Sequence, residues 1–202
     1  MSFEKVDLPG NSWYKFYKKI PKDLRLDTDG FENLWDEHPL AYGKVVIYGR
    51  ELDTPRWQQP YGRDYSFSHS EHKSKPIEHP HLVKILEWVK KDSGLPYNGI
   101  LLNWYSSGEH HIGKHSDDER QLVRQTPIYS FSYGQERDFI ISSKPKTEYQ
   151  LEDNIKVSLP NNSLIIMGGE MQSHYHHSVP KRALSKCPDR RINVTVRLFK
   201  ED

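Results

Sequence analysis

The alternation of apolar and polar positions divides the chain near residue 95. Before that point two helical patterns stand out. Asp27, Thr28 or Asp29 offers an N-cap to a segment ending near His38, with Phe31, Leu34 and Trp35 at helical spacing. From His79 to Ser93, Leu82, Ile85, Leu86 and Val89 form one apolar stripe; Pro80 suits the first turn and Gly94 the C-terminal cap. Lys44–Tyr48 reads as a strand. Beyond Gly94 the pattern becomes short β runs at Ile100–Tyr105, Pro127–Tyr133, Asp138–Ser142, Ile155–Leu159, Ser163–Met167 and Ile192–Phe199. Short strands spaced by turn residues predict a sandwich or barrel. The units expected are residues 1–94, helices and lid, and residues 95–202, a β core, packed as one compact body.

Composition narrows the class. Hydrophobic residues make up 35% of the 202, yet aromatics reach 12%, too many for a disordered chain. One cysteine, Cys187, leaves no internal disulfide and fits a reducing, intracellular setting. No apolar run approaches the roughly 20 residues that span a bilayer, and the first 22 residues carry no apolar signal core. The formal charge of +1 means that any phosphate binding must rest on local clusters: Lys15, Lys18, Lys19 and Lys22; Arg50 and Arg56; Lys181, Arg182 and Lys186. Each is equally a solvated face.

Three patterns carry chemistry. In His115-Ser116-Asp117, residues at i and i+2 of an extended segment point to one side, so an imidazole and a carboxylate can share a metal. A surface histidine beside acids would look the same. A third ligand can come from His174-Tyr175-His176-His177, which completes a 2-His-1-carboxylate set, the arrangement of non-haem Fe(II) oxygenases; zinc is the rival ion. The most regular pattern is Arg191–Phe199. Strand periodicity puts Arg191, Asn193, Thr195 and Arg197 on one face and Ile192, Val194, Val196 and Leu198 on the other. An apolar face anchors such a strand in a core, and the guanidiniums opposite suit a small dianion; a wet polar face is the alternative. Asn103 and Tyr105 share a face in the same way.

Together these residues resemble the AlkB family of Fe(II)/2-oxoglutarate dioxygenases, which demethylate nucleic-acid bases. The resemblance runs, in order, through Asn103-x-Tyr105, Ile112-Gly113-x-His115-x-Asp117-Asp118-Glu119, Arg137-Asp138-Phe139, His177-Ser178-x-Pro180 and Arg191-x-Asn193-x-Thr195-x-Arg197. It looks closest to the nuclear DNA-repair branch. It implies an α+β, mostly β, fold: a double-stranded β-helix, or jelly roll, behind an N-terminal α/β nucleotide-recognition lid. It implies that His115, Asp117 and His177 bind iron and that Asn103, Tyr105, Arg191 and Arg197 contact 2-oxoglutarate, with Asn193 and Thr195 lining the same wall.

A base must leave the stack before its methyl group can reach a buried iron. By resemblance, Ile47, Tyr48 and Gly49 form the intercalating finger, Arg56 follows in a Pro-Arg pair, Phe67 stacks on the flipped base opposite His115, Tyr65 touches its edge or backbone, and Asp118 bonds an exocyclic amine. Simple lid core is the alternative for the aromatics. The expected reaction is oxidative removal of N-methyl groups of the 1-methyladenine and 3-methylcytosine type from DNA, using Fe(II), 2-oxoglutarate and O2 and releasing formaldehyde, succinate and CO2. The same chemistry on RNA, on a protein or on a small molecule, and a catalytically silent nucleic-acid-binding module, are the rival readings. The expected partner is DNA before RNA, with no membrane, a monomeric state and, in a eukaryote, the nucleus.

Overall fold

A computed structural model describes residues 2–47, 49–67 and 70–201, without the side chains of 47 and 65–72. The chain opens on a hairpin of β1 (Glu4–Leu8) and β2 (Ser12–Tyr17). Helix α1 (Thr28–Trp35) follows, capped by the Asp27 carboxylate, which accepts from the Gly30 amide at 2.9 Å. A second hairpin joins β3 (Lys44–Ile47) to β4 (Arg50–Asp53), with Gly49 in its turn at φ +75°, where a side chain would be strained. Then come β5 (Trp57–Tyr61), the short pair β6 (Tyr65–Phe67) and β7 (Ser70–His72), and helix α2 (Pro80–Ser93). Gly94 ends α2 in the left-handed region, its N–H bonding the Lys90 carbonyl.

The remaining elements are β8 (Gly99–Tyr105), β9 (Ile112–His115), β10 (Ile128–Gly134), β11 (Arg137–Ser143), β12 (Ile155–Leu159), β13 (Ser163–Gly169), the single turn α3 (Met171–His174), β14 (Tyr175–Val179) and β15 (Arg191–Arg197). They build two antiparallel sheets. The larger has seven strands in the order β1-β2-β13-β10-β15-β8-β5, and the smaller has four in the order β12-β11-β14-β9. This is the expected jelly roll, mostly β with helices packed outside. The six anticipated strands of the rear half each form within two residues of their expected ends.

Residues 1–94 are more than helices and lid, because β1, β2 and β5 are strands of the larger sheet. The reason is non-local. β2 pairs with β13, Leu164 opposite Tyr17 and Met167 opposite Tyr14, and no local pattern reveals a partner about 150 residues away.

Each face of the larger sheet has its own cover. Outward-facing Ile100, Leu102, Trp104, Ile192, Val194 and Val196 pack under α1 and α2 against Leu34, Leu82, Ile85 and Val89. Burying such side chains contributes about 1.5–3 kcal/mol each. The inward face meets the smaller sheet through Ile128, Ile165, Met167, Phe139, Ile141 and Val179. Apolar contacts hold that inter-sheet space at one end, and a polar stripe occupies the other. Arg137, 2% exposed, fastens the loops there by donating to the carbonyls of Ser107, Gly108, His110 and Pro180.

Candidate active site

Both faces of β15 are buried, so its polar stripe is not a wet surface: Arg191, Asn193, Thr195 and Arg197 are 1–7% exposed. Register places Tyr105 opposite Arg191 and Asn103 opposite Asn193 on β8, and Ser130 opposite Thr195 on β10. One cavity between the sheets is lined by all six residues of the expected cosubstrate wall and by His115, Asp117 and His177.

The triad is assembled by strand pairing. His177 of β14 lies directly opposite His115 of β9, their ring centroids 4.2 Å apart, and Asp117 follows two residues after His115. His115 Nε2 is 4.0 Å from Asp117 Oδ1, and His177 Nε2 is 3.7 Å from Asp117 Oδ2. Among the described residues, these three are the group whose ligand atoms, all within 4.8 Å of one another, can hold one ion. The ring nitrogens are already apportioned. His115 Nδ1 meets the Gly113 carbonyl at 2.9 Å, which puts the proton on Nδ1 and leaves the Nε2 lone pair toward Asp117. Phe139 stacks on His177 at 5.3 Å and fixes its ring plane.

Electrostatics hold the set in its ligating forms. Burial above all, with repulsion from His115, pulls His177 down to about 3, so the imidazole is neutral. Burial likewise lowers His115. Burial alone would raise the Asp117 carboxyl, but the Arg197 guanidinium in contact with it, helped by His177 and His115, holds it below its usual value. A carboxylate and two neutral imidazoles with an open side are the donor set of a non-haem Fe(II) site.

The far end of the cavity asks for an anion. Arg191 is 1% exposed, lies over the Tyr105 ring at 4.9 Å and donates to Ser132 Oγ at 2.9 Å. Its Nε and Nη1 have no hydrogen-bond partner, and among the described residues no carboxylate pairs with it. A buried guanidinium with two idle donors fits one carboxylate of a dicarboxylic acid. Asn103, Asn193 and Thr195 form the wall between the arginines: Asn193 Nδ2 donates to Ser130 Oγ and the Phe131 carbonyl, both at 2.9 Å, and Thr195 Oγ1 donates to Asn193 Oδ1 at 3.0 Å.

The other histidines point elsewhere. His176 faces out of the smaller sheet, as strand alternation requires, and His174 packs edge-on to Tyr149 with Nδ1 at Thr147 Oγ1.

The residues expected at the base are more dispersed. Gly49 is exposed in its turn; Tyr48 lies outside the described residues, as do the side chains of Ile47, Tyr65 and Phe67. Asp118 is turned to the rim, 62% exposed and 3.1 Å from Lys144 Nζ. It lines a wider cleft of about 620 Å³ on the other side of Asp117 and Arg197. Arg56 is inside the cosubstrate cavity rather than on a phosphate-facing surface, because β5 begins right after it and carries it against β8. Of the anticipated cationic clusters, Lys181 pairs with Glu109 at 3.6 Å and Arg182 with Asp138 at 2.5 Å.

Two neighbours have contacts that the sequence did not assign: Glu119, which stands in the motif without a role, and Gln172, which lies outside it. Glu119, 10% exposed at its side chain, lies 3.8 Å from Arg197 Nη1; it continues the two-residue period of His115 and Asp117, and that period is the signal that could have found it. Gln172 accepts the Asp117 amide through Oε1 at 2.9 Å from α3, and no pattern in the chain announces that contact.

Residues 25–197 match the model of the 2OG-Fe(II) oxygenase superfamily. Among curated proteins, mouse DNA oxidative demethylase ALKBH2 is 35% identical over 185 residues, covering 89% of this chain and 73% of its own length. The human protein of that name is 34% identical over 163 residues, covering 78% and 61%, and bovine alpha-ketoglutarate-dependent dioxygenase alkB homolog 3 is 33% identical over 185 residues, covering 89% and 64%. The chain thus spans under two thirds of the human and bovine relatives. In fold it is similar to the solved structure of OsALKBH1, at a TM-score of 0.59 and 16% identity over 97% of this chain and 100% of that one. A family match over most of the length, joined to relatives one third identical, shows that the chain belongs to the AlkB family of Fe(II)/2-oxoglutarate-dependent dioxygenases.

Proposed function

We propose that this dioxygenase removes N-linked methyl groups from bases in DNA, of the 1-methyladenine and 3-methylcytosine type, as a direct-reversal repair enzyme. The observation that carries the chemistry is a buried cavity lined both by a His/Asp/His triad and by three arginines, Arg56, Arg191 and Arg197. Support for DNA comes from the relatives named DNA oxidative demethylase. Among the described residues no helix is long and apolar enough to cross a membrane. Acting on DNA, the protein would work in the nucleus of a eukaryotic cell.

In this reading His115, Asp117 and His177 hold iron, Arg191 grips the remote carboxylate of 2-oxoglutarate, and Asn103 and Tyr105 offer donors along its length. Bound there, Fe(II) with 2-oxoglutarate and O2 supplies the oxidising power that converts N–CH3 to N–CH2OH while 2-oxoglutarate becomes succinate and CO2. The N–CH2OH group then breaks to formaldehyde and the restored N–H base. Arg197 keeps Asp117 ionised by standing against it, and Glu119 balances Arg197 from its other side. Phe139 and the inter-sheet core exclude water from His177.

The test is repair of 3-methylcytosine in matched single-stranded DNA, duplex DNA and RNA oligonucleotides, read by mass spectrometry of the nucleosides. Faster restoration of cytosine in DNA is expected. Preference for RNA, or intact lesions in all three, contradicts the proposal.

A further inference from the structure

By its resemblance the Pro55-Arg56 pair belongs with the nucleic-acid contacts, and the structure buries Arg56. Its side chain is 6% exposed and lines the cavity that holds the triad and Arg191. Nε donates to Asn103 Oδ1 at 2.7 Å, and Nη2 donates to Gln58 Oε1 at 3.1 Å. The Asn103 carbonyl oxygen is therefore committed to a cation, and its amide nitrogen donates to Asn193 Oδ1 at 3.3 Å. An Asn amide has two N–H donors and one carbonyl oxygen. With the oxygen held by Arg56 and one N–H by Asn193, the orientation is locked, and the second N–H is what Asn103 can offer to a carboxylate. Flipped, the same amide would present its oxygen to that carboxylate and repel it.

The backbone around Arg56 reaches the other way, to the base of the β3–β4 hairpin. Thr54 Oγ1 donates to the Arg56 carbonyl at 2.8 Å, the Thr54 amide donates to the Gly43 carbonyl at 2.8 Å, and the His111 amide donates to the Pro55 carbonyl at 3.1 Å. Residues 54–56 thus join the root of the hairpin and the loop before β9 through Thr54 and Pro55, and one amide of the cosubstrate wall through the Arg56 side chain.

We propose that Arg56 is a positioning residue for 2-oxoglutarate, acting through Asn103, rather than a contact to the nucleic acid. The proposal rests on the cosubstrate reading of the cavity, and the experiment separates the two. Equilibrium affinity for 2-oxoglutarate is measured by calorimetry with Mn(II), without O2, for wild type, Arg56→Ala, Asn103→Ala and the double variant; affinity for a 3-methylcytosine oligonucleotide is measured on the same proteins. Loss of one charged hydrogen bond that orients a donor predicts about a tenfold weaker 2-oxoglutarate complex for Arg56→Ala. Oligonucleotide affinity should change less than about twofold. In the Asn103→Ala background, removing Arg56 should cost nothing further, because its effect passes through the missing amide. Should Arg56→Ala not fold, Arg56→Lys, which keeps the charge and loses the fork, carries the same comparison. Additive losses, or a loss confined to the oligonucleotide, overturn the proposal. If Asn103→Ala and Arg191→Met both leave 2-oxoglutarate affinity unchanged, the cosubstrate reading itself has failed.

Discussion

Replacing Arg191 by Met should destroy cosubstrate binding without weakening the fold. In the protein as it stands, burial draws the Arg191 guanidinium below its usual value, and its Nε and Nη1 find no acceptor. Each unsatisfied buried donor costs about 1–3 kcal/mol. Against that, Met forfeits the bond to Ser132 and the contact with the Tyr105 ring. Those losses amount to about 2–3 kcal/mol together. The opposing effects nearly cancel, and an apolar isostere in place of a buried charge is often neutral or stabilising. The midpoint of thermal unfolding without ligand should then move by no more than about 4 °C in either direction, given about 2–4 °C per kcal/mol for a chain of this size. Binding behaves differently. Two idle donors meeting a carboxylate form charge-assisted bonds of about 1.5–3 kcal/mol each, so 2-oxoglutarate affinity should fall at least a hundredfold. Scanning calorimetry without ligand and titration of 2-oxoglutarate with Mn(II) read the two quantities. A variant that unfolds 10 °C early yet still binds 2-oxoglutarate would show that Arg191 is a structural residue.

Two further expectations concern stability. His81 is buried with Nε2 3.0 Å from the Tyr133 hydroxyl, which itself donates to the Leu24 carbonyl; burial above all, with His79 and Lys84 nearby, lowers it to about 4. Its folded value lies below the unfolded one of about 6.5, so the unfolded chain binds the extra proton between those values. The stabilisation, about 3 kcal/mol, is complete above pH 6.5 and is lost as pH falls toward 4. Urea unfolding across that window should show a shallower slope for His81→Gln than for wild type; identical slopes would exclude His81 as the titrating group. Arg137→Ala strips four carbonyls of a shared charged donor and should cost about 3–5 kcal/mol, read as a lower urea midpoint, whereas a loss under 1 kcal/mol would mean that the loops it fastens hold themselves.

What could be read in the chain follows physical reach. The alternation of Arg191–Leu198 needs only a two-residue period, and it correctly separates the face packed under the helices from the face in the cavity. The caps of α1 and α2 are likewise local chemistry, at Asp27, Pro80 and Gly94. Harder to read was anything set by strand pairing at long range. Trp13, Tyr14, Phe16 and Tyr17 announce an aromatic segment, but only the register with β13 makes it part of the larger sheet. Arg56 shows the same limit inside the site: beside Pro55 it has the pattern of a loop cation, and its burial comes from β5 pairing with β8. For Asp118 and Glu119, adjacency hides which acid turns inward; the two-residue period starting at His115 favours Glu119.

Oxidation of a methyl group on DNA by this protein depends on His115, Asp117 and His177. This dependence is tested most directly by supplying Fe(II), 2-oxoglutarate, O2 and a 3-methylcytosine oligonucleotide and counting formaldehyde against succinate for wild type and Asp117→Ala. Wild type should give equal amounts of the two products, and the variant neither. Equal turnover by both proteins would contradict it.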